Sequence, residues 1–350
     1  YFCTHNHRTM KFVSYRHDEQ NLLGLYINEK IYNMAEAARI VGSTAALTMK
    51  ELLNGGDEAM DRAREIELKI KEEKTGLSGF TWSELRILAP VPEPTSCRDG
   101  YAFRQHVEAA RRNRKVEMIP EFDEYPIFYF TNHNAIQGPG EIWCMPDHFQ
   151  QLDFELEAAV VIGKKGRNIR ASQADNYVAG YMIMNDMSAR TLQMEEMKLN
   201  LGPAKGKDFS TVIGPYMVTP DELEAFKVAP KTGHEGNRYN LEMKCFVNGV
   251  QVSQGNVAQM DWTFAEIIER CAYGVDILPG DVIGSGTVGT GCFLELNGTG
   301  KLNNPDYKVQ WLQADDVVEM TIDGLGCLTN TIRKVDTDFS ILKLKKTAAV

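Results

Sequence analysis

The chain has 350 residues, 43% of them hydrophobic and 25% charged, which is enough to bury a sizeable core; one large domain with a smaller companion is the first expectation. With 38 basic and 48 acidic residues the net charge is −10, which argues against general affinity for nucleic acid or an anionic membrane and leaves room for a local basic pocket holding an anionic substrate. The seven cysteines are odd in number and scattered, with no two-residue-spaced pair, so reduced thiols in a cytoplasmic compartment fit better than a disulfide framework or a zinc site.

Residues 1–9, "YFCTHNHRT", precede a plausible start at Met10 and read as an extension. From Met10, "MKFVSY" and "LLGLYINEKIYNM" alternate apolar and polar positions around an "NEK" turn and predict two or three short strands. Asp57 to Glu73 carries apolar residues at helical spacing and ends at "TGLSG". "LAPVPEPTS", with Pro90, Pro92 and Pro94, cannot continue a helix or a central strand; the domain boundary is placed there, dividing 1–88 from 89–350. No apolar run approaches the roughly 20 residues of a membrane span, and no signal-peptide core opens the chain.

Beyond the prolines, strand-like runs such as "NYVAGYMIMND", "STVIGPYMVT", "LEMKCFVNGVQV" and "DDVVEMTIDGLGCLTNTI" outnumber helical ones such as "DWTFAEIIERCAYGV". They do not alternate regularly with helices, which favours a mixed or antiparallel β-rich domain over a doubly wound sheet. "GSGTVG", from Gly284 to Gly289, matches a dinucleotide-binding fingerprint, but the following "CFLEL" reads as strand, and the fingerprint requires a helix there. Asn297 in "NGT" reads as a turn and not a glycosylated site. His133 and His148 belong to no motif and read as structural, and the methionines between Met182 and Met197 read as core filler or a pocket wall.

Chemistry enters at "DFELEAAVVIG", Asp153 to Gly163. Strand alternation places Asp153, Glu155 and Glu157 on one face, an arrangement that propensity alone does not favour and that calls for water or a cation. In "YMIMNDMSAR" an apolar strand ends abruptly at Asp186, and charge at the mouth of a buried strand is costly unless paired or metal-bound. Glu155, Glu157 and Asp186 would offer hard oxygen ligands suited to Mg²⁺, Mn²⁺ or Ca²⁺; a solvated strand face is the competing reading.

Taken together, "CRDGYAFRQH" (97–106), "DFELE" (153–157), "MNDMSARTLQ" (184–193), "GPAKGKDF" (202–209), "PGDVIGSGT" (279–287) and "FLEL" (293–296) occur in an order and spacing that resembles the fumarylacetoacetate hydrolase superfamily. The resemblance implies an α+β, β-rich fold: a large C-terminal mixed β-sandwich roll with a small N-terminal α/β accessory domain, assembled as a homodimer. It implies that Asp99, Glu155, Glu157 and Asp186 ligate one divalent cation, Mg²⁺ or else Ca²⁺ or Mn²⁺. His106 matches the catalytic histidine and Glu295 the glutamate that orients it; Lys207 and Gln193 match residues bearing on developing charge and proton delivery. Tyr101, Arg190 and Thr287 match substrate-holding positions. Asp153 has no assigned role and reads as an exposed or hydrogen-bonded carboxylate. Arg111, Arg112 and Arg114 compete for the arginine that meets the substrate carboxylate, while the equally spaced position holds Lys115.

The leading expectation is therefore a cytoplasmic, metal-dependent hydrolase that cleaves a carbon–carbon bond in a β-diketo acid, such as fumarylacetoacetate or an acylpyruvate, in aromatic or tyrosine catabolism. Its rival on the same scaffold is an isomerase or decarboxylase of a 2-oxo-ene-dioate or oxaloacetate. The His106 and Glu295 pair is read as favouring hydrolysis, on the ground that water needs a base. A non-catalytic metal- or metabolite-binding protein is the third reading.

Overall fold

The computed structural model describes residues 10–344, so the expected extension at 1–9 and its Cys3 lie outside the described residues. Lys11–His17 (β1), Gln20–Ile27 (β2) and Lys30–Asn33 (β3) form the predicted meander. Its turns place Asp18–Glu19 and Asn28–Glu29 at positive φ in pairs, the tight-hairpin geometry whose twist matches that of the flanking strands. Met34–Ile40 (α1), Met49–Asn54 (α2) and Gly56–Lys71 (α3) follow, with Asn33 and Thr48 capping the first two.

After the prolines come Cys97–Gly100 (β4), Arg104–Asn113 (α4), Phe128–Thr131 (β5), Gly140–Cys144 (β6), Leu156–Ile162 (β7), Val178–Asp186 (β8), Arg190–Met197 (α5) and Thr211–Val218 (β9). The chain continues through Glu242–Val247 (β10), Val250–Asn256 (β11), Phe264–Ala272 (α6), Val282–Gly284 (β12), Phe293–Asn303 (α7), Val317–Ile322 (β13) and Gly326–Lys334 (β14). The large sheet runs β3-β2-β1-β9-β8-β7-β12-β4-β5 and the smaller one β11-β10-β13-β14-β6. Pairing is mostly antiparallel, with β4 and β12 parallel in the large sheet and β6 and β14 in the small one, so the architecture is the expected β-rich α+β roll.

Two cores flank the large sheet. Leu156, Ala158 and Val160 point toward the small sheet and pack with Met243, Cys245, Met320 and Leu328. Ala159 and Val161 point the other way and pack with Met182, Met217, Leu52, Ala63 and Ile66, under α2 and α3. β1 is hydrogen-bonded to β9 in the register Lys11↔Val218 and Phe12↔Met217, so the N-terminal strands continue the large sheet across the boundary expected at residue 88.

Two local readings are corrected. "CFLEL" is not a strand: α7 begins at Phe293, with the Cys292 side chain accepting the Glu295 N–H and the Asp153 carboxylate accepting those of Phe293 and Leu294. Its glycines concealed it, because Gly298 and Gly300 lower helix propensity; they are there because a Cβ would strike Asn113 and Tyr307. Asn297 is not in a turn but buried in α7, its amide exchanging hydrogen bonds with the Gln310 backbone.

Phe12 is fully buried between the sheet and α1–α3. Phe12→Ala should cost about 3–5 kcal/mol of unfolding free energy, and because its strand belongs to the large sheet the loss should appear in one denaturant transition. A separate early transition, followed by circular dichroism and tryptophan fluorescence, would show the N-terminal segment unfolding alone.

Candidate active site

Strand parity assembles the acidic site. Cys97, Ala159, Val161, Met182, Met184 and Val282 face the helical layer, so Asp99, Glu157, Asp186 and Gly284 project from the same side of β4, β7, β8 and β12. Glu155 joins them from the irregular turn just before β7. One carboxylate oxygen from each of Asp99, Glu155, Glu157 and Asp186 lies within 4.8 Å of the others, and all four residues are buried. Gly284 pairs with Asp99 on one side and Ala159 on the other. A Cβ there would lie 2.5 Å from Asp99 Oδ1 and 2.9 Å from Glu157 Oε2, so the bare backbone is what lets these carboxylates converge.

The turn after β12 completes the cradle. Gly286, at φ +80°, directs its N–H to Asp99 Oδ1 and Glu157 Oε2, 3.1 Å from each, and Thr287 Oγ1 donates to Glu157 Oε1 at 3.3 Å. The fingerprint-like glycines thus serve carboxylates and not a phosphate.

Charge is unevenly compensated. Five buried carboxylates, Asp99, Asp153, Glu155, Glu157 and Asp186, face two buried cationic side chains, Arg190 and Lys207. Burial raises the Glu155 carboxyl, but the charges of Lys207, Arg190 and His106 outweigh it and hold the group down at about 2. Burial and the Asp186 charge push Asp99 up to about 7; burial and Asp99 likewise lift Glu157, and burial lifts Asp186. Asp186 Oδ1 has no hydrogen-bond partner. Uncompensated oxygen donors and an orphaned carboxylate oxygen are what a hard divalent cation would satisfy, so the residues fit the metal that the resemblance implies.

Beside this cluster, His106 Nδ1 lies 2.7 Å from Glu295 Oε2, and Glu295 Oε1 accepts the Thr290 N–H at 2.9 Å. The two residues come from α4 and α7, which pack together where Gly298 meets Asn113. The Tyr101 ring stands edge-on to His106 at 6.0 Å. Lys207 Nζ donates to Asp186 Oδ2 at 2.7 Å and to Glu155 Oε2. Arg190 is pinned: Nε donates to Asp153 Oδ2 at 2.8 Å, Nη2 to Glu155 Oε1 at 2.7 Å and Nη1 to Gln193 Oε1 at 3.0 Å.

The structure brings the predicted metal, catalytic and substrate-holding residues together but directs Arg190, Gln193 and Thr287 onto protein partners, while Arg111, Arg112 and Arg114 donate to Glu117 O, Thr299 Oγ1 and Ala110 O at the exposed end of α4. Asp153 is fully buried, so of its two sequence readings the hydrogen-bonded one holds and the exposed one does not. Tyr129, whose hydroxyl donates to Asp186 Oδ2, was missed, because an aromatic in "FYFT" looks like any other strand residue. His148 is buried, its ring 4.0 Å from that of Phe209, and burial lowers it to about 4, in keeping with a structural role. His133 is exposed.

A family model described as fumarylacetoacetate (FAA) hydrolase C-terminal matches residues 95–333, and the chain belongs to that family of enzymes. "Oxaloacetate tautomerase YisK" of Bacillus subtilis (strain 168) is 29% identical over 334 residues, 92% of this chain and 100% of that protein. "Oxaloacetate tautomerase fahd2, mitochondrial" of Xenopus laevis is 31% identical over 288 residues, 81% of this chain and 78% of that protein. Among solved structures, a putative HpcE protein from Mycobacterium smegmatis aligns with a TM-score of 0.66 at 22% identity, over 93% of this chain and 100% of that one, a likeness of fold.

The relatives' names overturn the hydrolase expectation, and with it the place in tyrosine catabolism. The physical error lay in taking a His–Glu pair as a sign of activated water: the same base can remove a proton from carbon. Among the described residues no helix is long and apolar enough to cross a membrane, and the mitochondrial names among the relatives withdraw support from a cytoplasmic assignment.

Two measurements test the cluster. With Asp99 raised to about 7, the folded metal-free protein holds its proton more tightly than the unfolded chain does. The Asp99 contribution to stability should be full below the ordinary carboxylate range and lost as pH rises through about 7; Mg²⁺ should offset that loss, so melting temperatures in chelator and in Mg²⁺ should diverge across that window. Gly284→Ala should weaken Mg²⁺ or Mn²⁺ binding by about 10–100-fold in calorimetric titrations, as expected when ligands lose their support.

Proposed function

We propose that the chain is a divalent-cation-dependent keto–enol tautomerase of oxaloacetate or a closely similar 2-oxo dicarboxylate. The observation that carries this reading is likeness over nearly the full length to proteins named oxaloacetate tautomerases. The His106–Glu295 pair beside a buried carboxylate cluster supplies the chemistry such a reaction needs.

Asp99, Glu155, Glu157 and Asp186 would hold the cation, with Mg²⁺ the first choice and Ca²⁺ or Mn²⁺ compatible with the same oxygen donors. When bound, it supplies Lewis-acid polarisation of the 2-oxo group and positive charge near the enolate. His106 Nε2 takes a proton from the carbon next to that group and delivers it to the enolate oxygen, and the same transfer runs backwards from enol to keto. Glu295 keeps the other ring proton on Nδ1 and stabilises the imidazolium that forms. One mobile proton suffices, and no water is consumed.

Lys207 stays an ammonium, because Asp186 and Glu155 hold its pKa above the usual lysine value against the effect of burial; it contributes charge beside the developing oxyanion. Arg190 acts through Glu155 and Asp153, Gln193 steadies Arg190, and Thr287 steadies Glu157. Tyr101 limits how far the His106 ring can turn. The homodimer implied by the family resemblance belongs to this reading too.

The test follows the ultraviolet absorbance of enol oxaloacetate as it equilibrates with the keto form over Mg²⁺-loaded protein. Acceleration by the wild type and a loss of about 10²–10⁴-fold in His106→Gln are the expected results. Cleavage of an acylpyruvate into two acids faster than tautomerisation would refute the proposal.

A further inference from the structure

A second set of donors, different in chemical character, adjoins the oxygen cluster. One donor atom from each of His106, Cys292 and Glu155 lies within 4.8 Å of the others, and all three residues are buried. The four-carboxylate set suits a hard cation, whereas imidazole, thiolate and a single carboxylate are the donors that zinc selects. Their positions in sequence, 106, 155 and 292, show no metal-ligand spacing, so only the fold brings them together.

Two of the three donors are held in place by neighbouring groups. His106 has Nδ1 engaged by Glu295, and its Nε2 has no hydrogen-bond partner among the described residues. A carboxylate behind the imidazole is the outer-sphere support that zinc-bound histidines have, fixing the tautomer that leaves Nε2 free to bind. Cys292 caps α7, its Sγ 3.4 Å from the Glu295 nitrogen; burial and the Asp153 charge push its thiol well up against the pull of Arg190 and the Glu295 N–H, so the thiolate forms with the cation and not before it. Glu155, held by Arg190 and Lys207, belongs to both donor sets, and a carboxylate can serve two neighbouring cations.

We propose that the chain carries an inhibitory site for a thiophilic divalent cation such as Zn²⁺, ligated by His106 Nε2, Cys292 Sγ and a Glu155 oxygen, with one position left for water. On binding, the metal–sulfur bond forms and the thiol proton passes to solvent. The site itself stands on the donor geometry. The inhibition rests on the reading of His106 as the base, since the metal occupies the lone pair that would accept the substrate proton.

The experiment adds Co²⁺ to the full-length, Mg²⁺-loaded protein and records its near-ultraviolet spectrum, alongside Zn²⁺ inhibition of tautomerase activity. Wild type should show a thiolate-to-cobalt charge-transfer band, and Cys292→Ser should lose it. Serine retains a cap for α7, so that variant should keep its basal activity while the inhibition constant for Zn²⁺ weakens by more than ~10-fold. X-ray absorption on the zinc-loaded wild type, which needs no variant, should show a sulfur neighbour at about 2.3 Å. Absence of both the sulfur shell and the charge-transfer band, or equal Zn²⁺ sensitivity in Cys292→Ser, would place the ion among the carboxylates and overturn the proposal. If oxaloacetate is not turned over, the band and the sulfur shell still decide whether the site exists.

Discussion

Repulsion among carboxylates that have been taken out of water is the constraint around which this structure is organised. Asp99, Glu157 and Asp186 approach one another in a setting where burial alone opposes their charge, and only Asp186 has an ammonium at hand. The surroundings are arranged to tolerate this. Gly284 withdraws its side chain, Gly286 turns an N–H inward, and Lys207 and Arg190 draw Glu155 to the opposite extreme of acidity. A site so divided, with one carboxylate firmly ionised and its neighbours reluctant, is poised to exchange protons for a metal ion.

The base is positioned by different means. His106 and Glu295 are 189 positions apart in sequence and meet because α4 and α7 pack closely, an approach that depends on the absent side chain of Gly298. Asp153 links this arrangement to the acidic cluster, accepting the Phe293 N–H on Oδ1 and the Leu294 N–H on Oδ2, the oxygen that also binds Arg190. A single buried carboxylate thereby fixes both the helix that carries Glu295 and the guanidinium that holds Glu155.

Much of this was legible in the sequence, for identifiable reasons. Strand alternation in "DFELE" and the abrupt end of "YMIMND" mark buried acids in excess of what a strand tolerates, and their order with "CRDGY" and "GPAKGKDF" is specific. α7 was hidden because its glycines serve close packing, which a propensity reading takes for turn or strand. Tyr129 and Cys292 were invisible because nothing in their local sequence reports a contact made across the fold. The reaction itself was misjudged: a histidine held by a glutamate has the same sequence signature whether the proton it takes comes from water or from carbon, and only comparison with relatives separates the two.

The pairing of β1 with β9 has a consequence for how the protein is made. Lys11 and Val218 are neighbours in the sheet, yet one is synthesised long before the other. At about 5–20 residues per second, the meander and the apolar faces of α1–α3 wait roughly 10–40 s for the strands that cover them. Arg86 and Ile87 cover the Tyr15–Arg16 part of the β1 edge early, but its Lys11–Phe12 part stays an open template for pairing with another chain during that interval. Biogenesis, more than the finished fold, is therefore where this molecule is most exposed to aggregation and most dependent on chaperones.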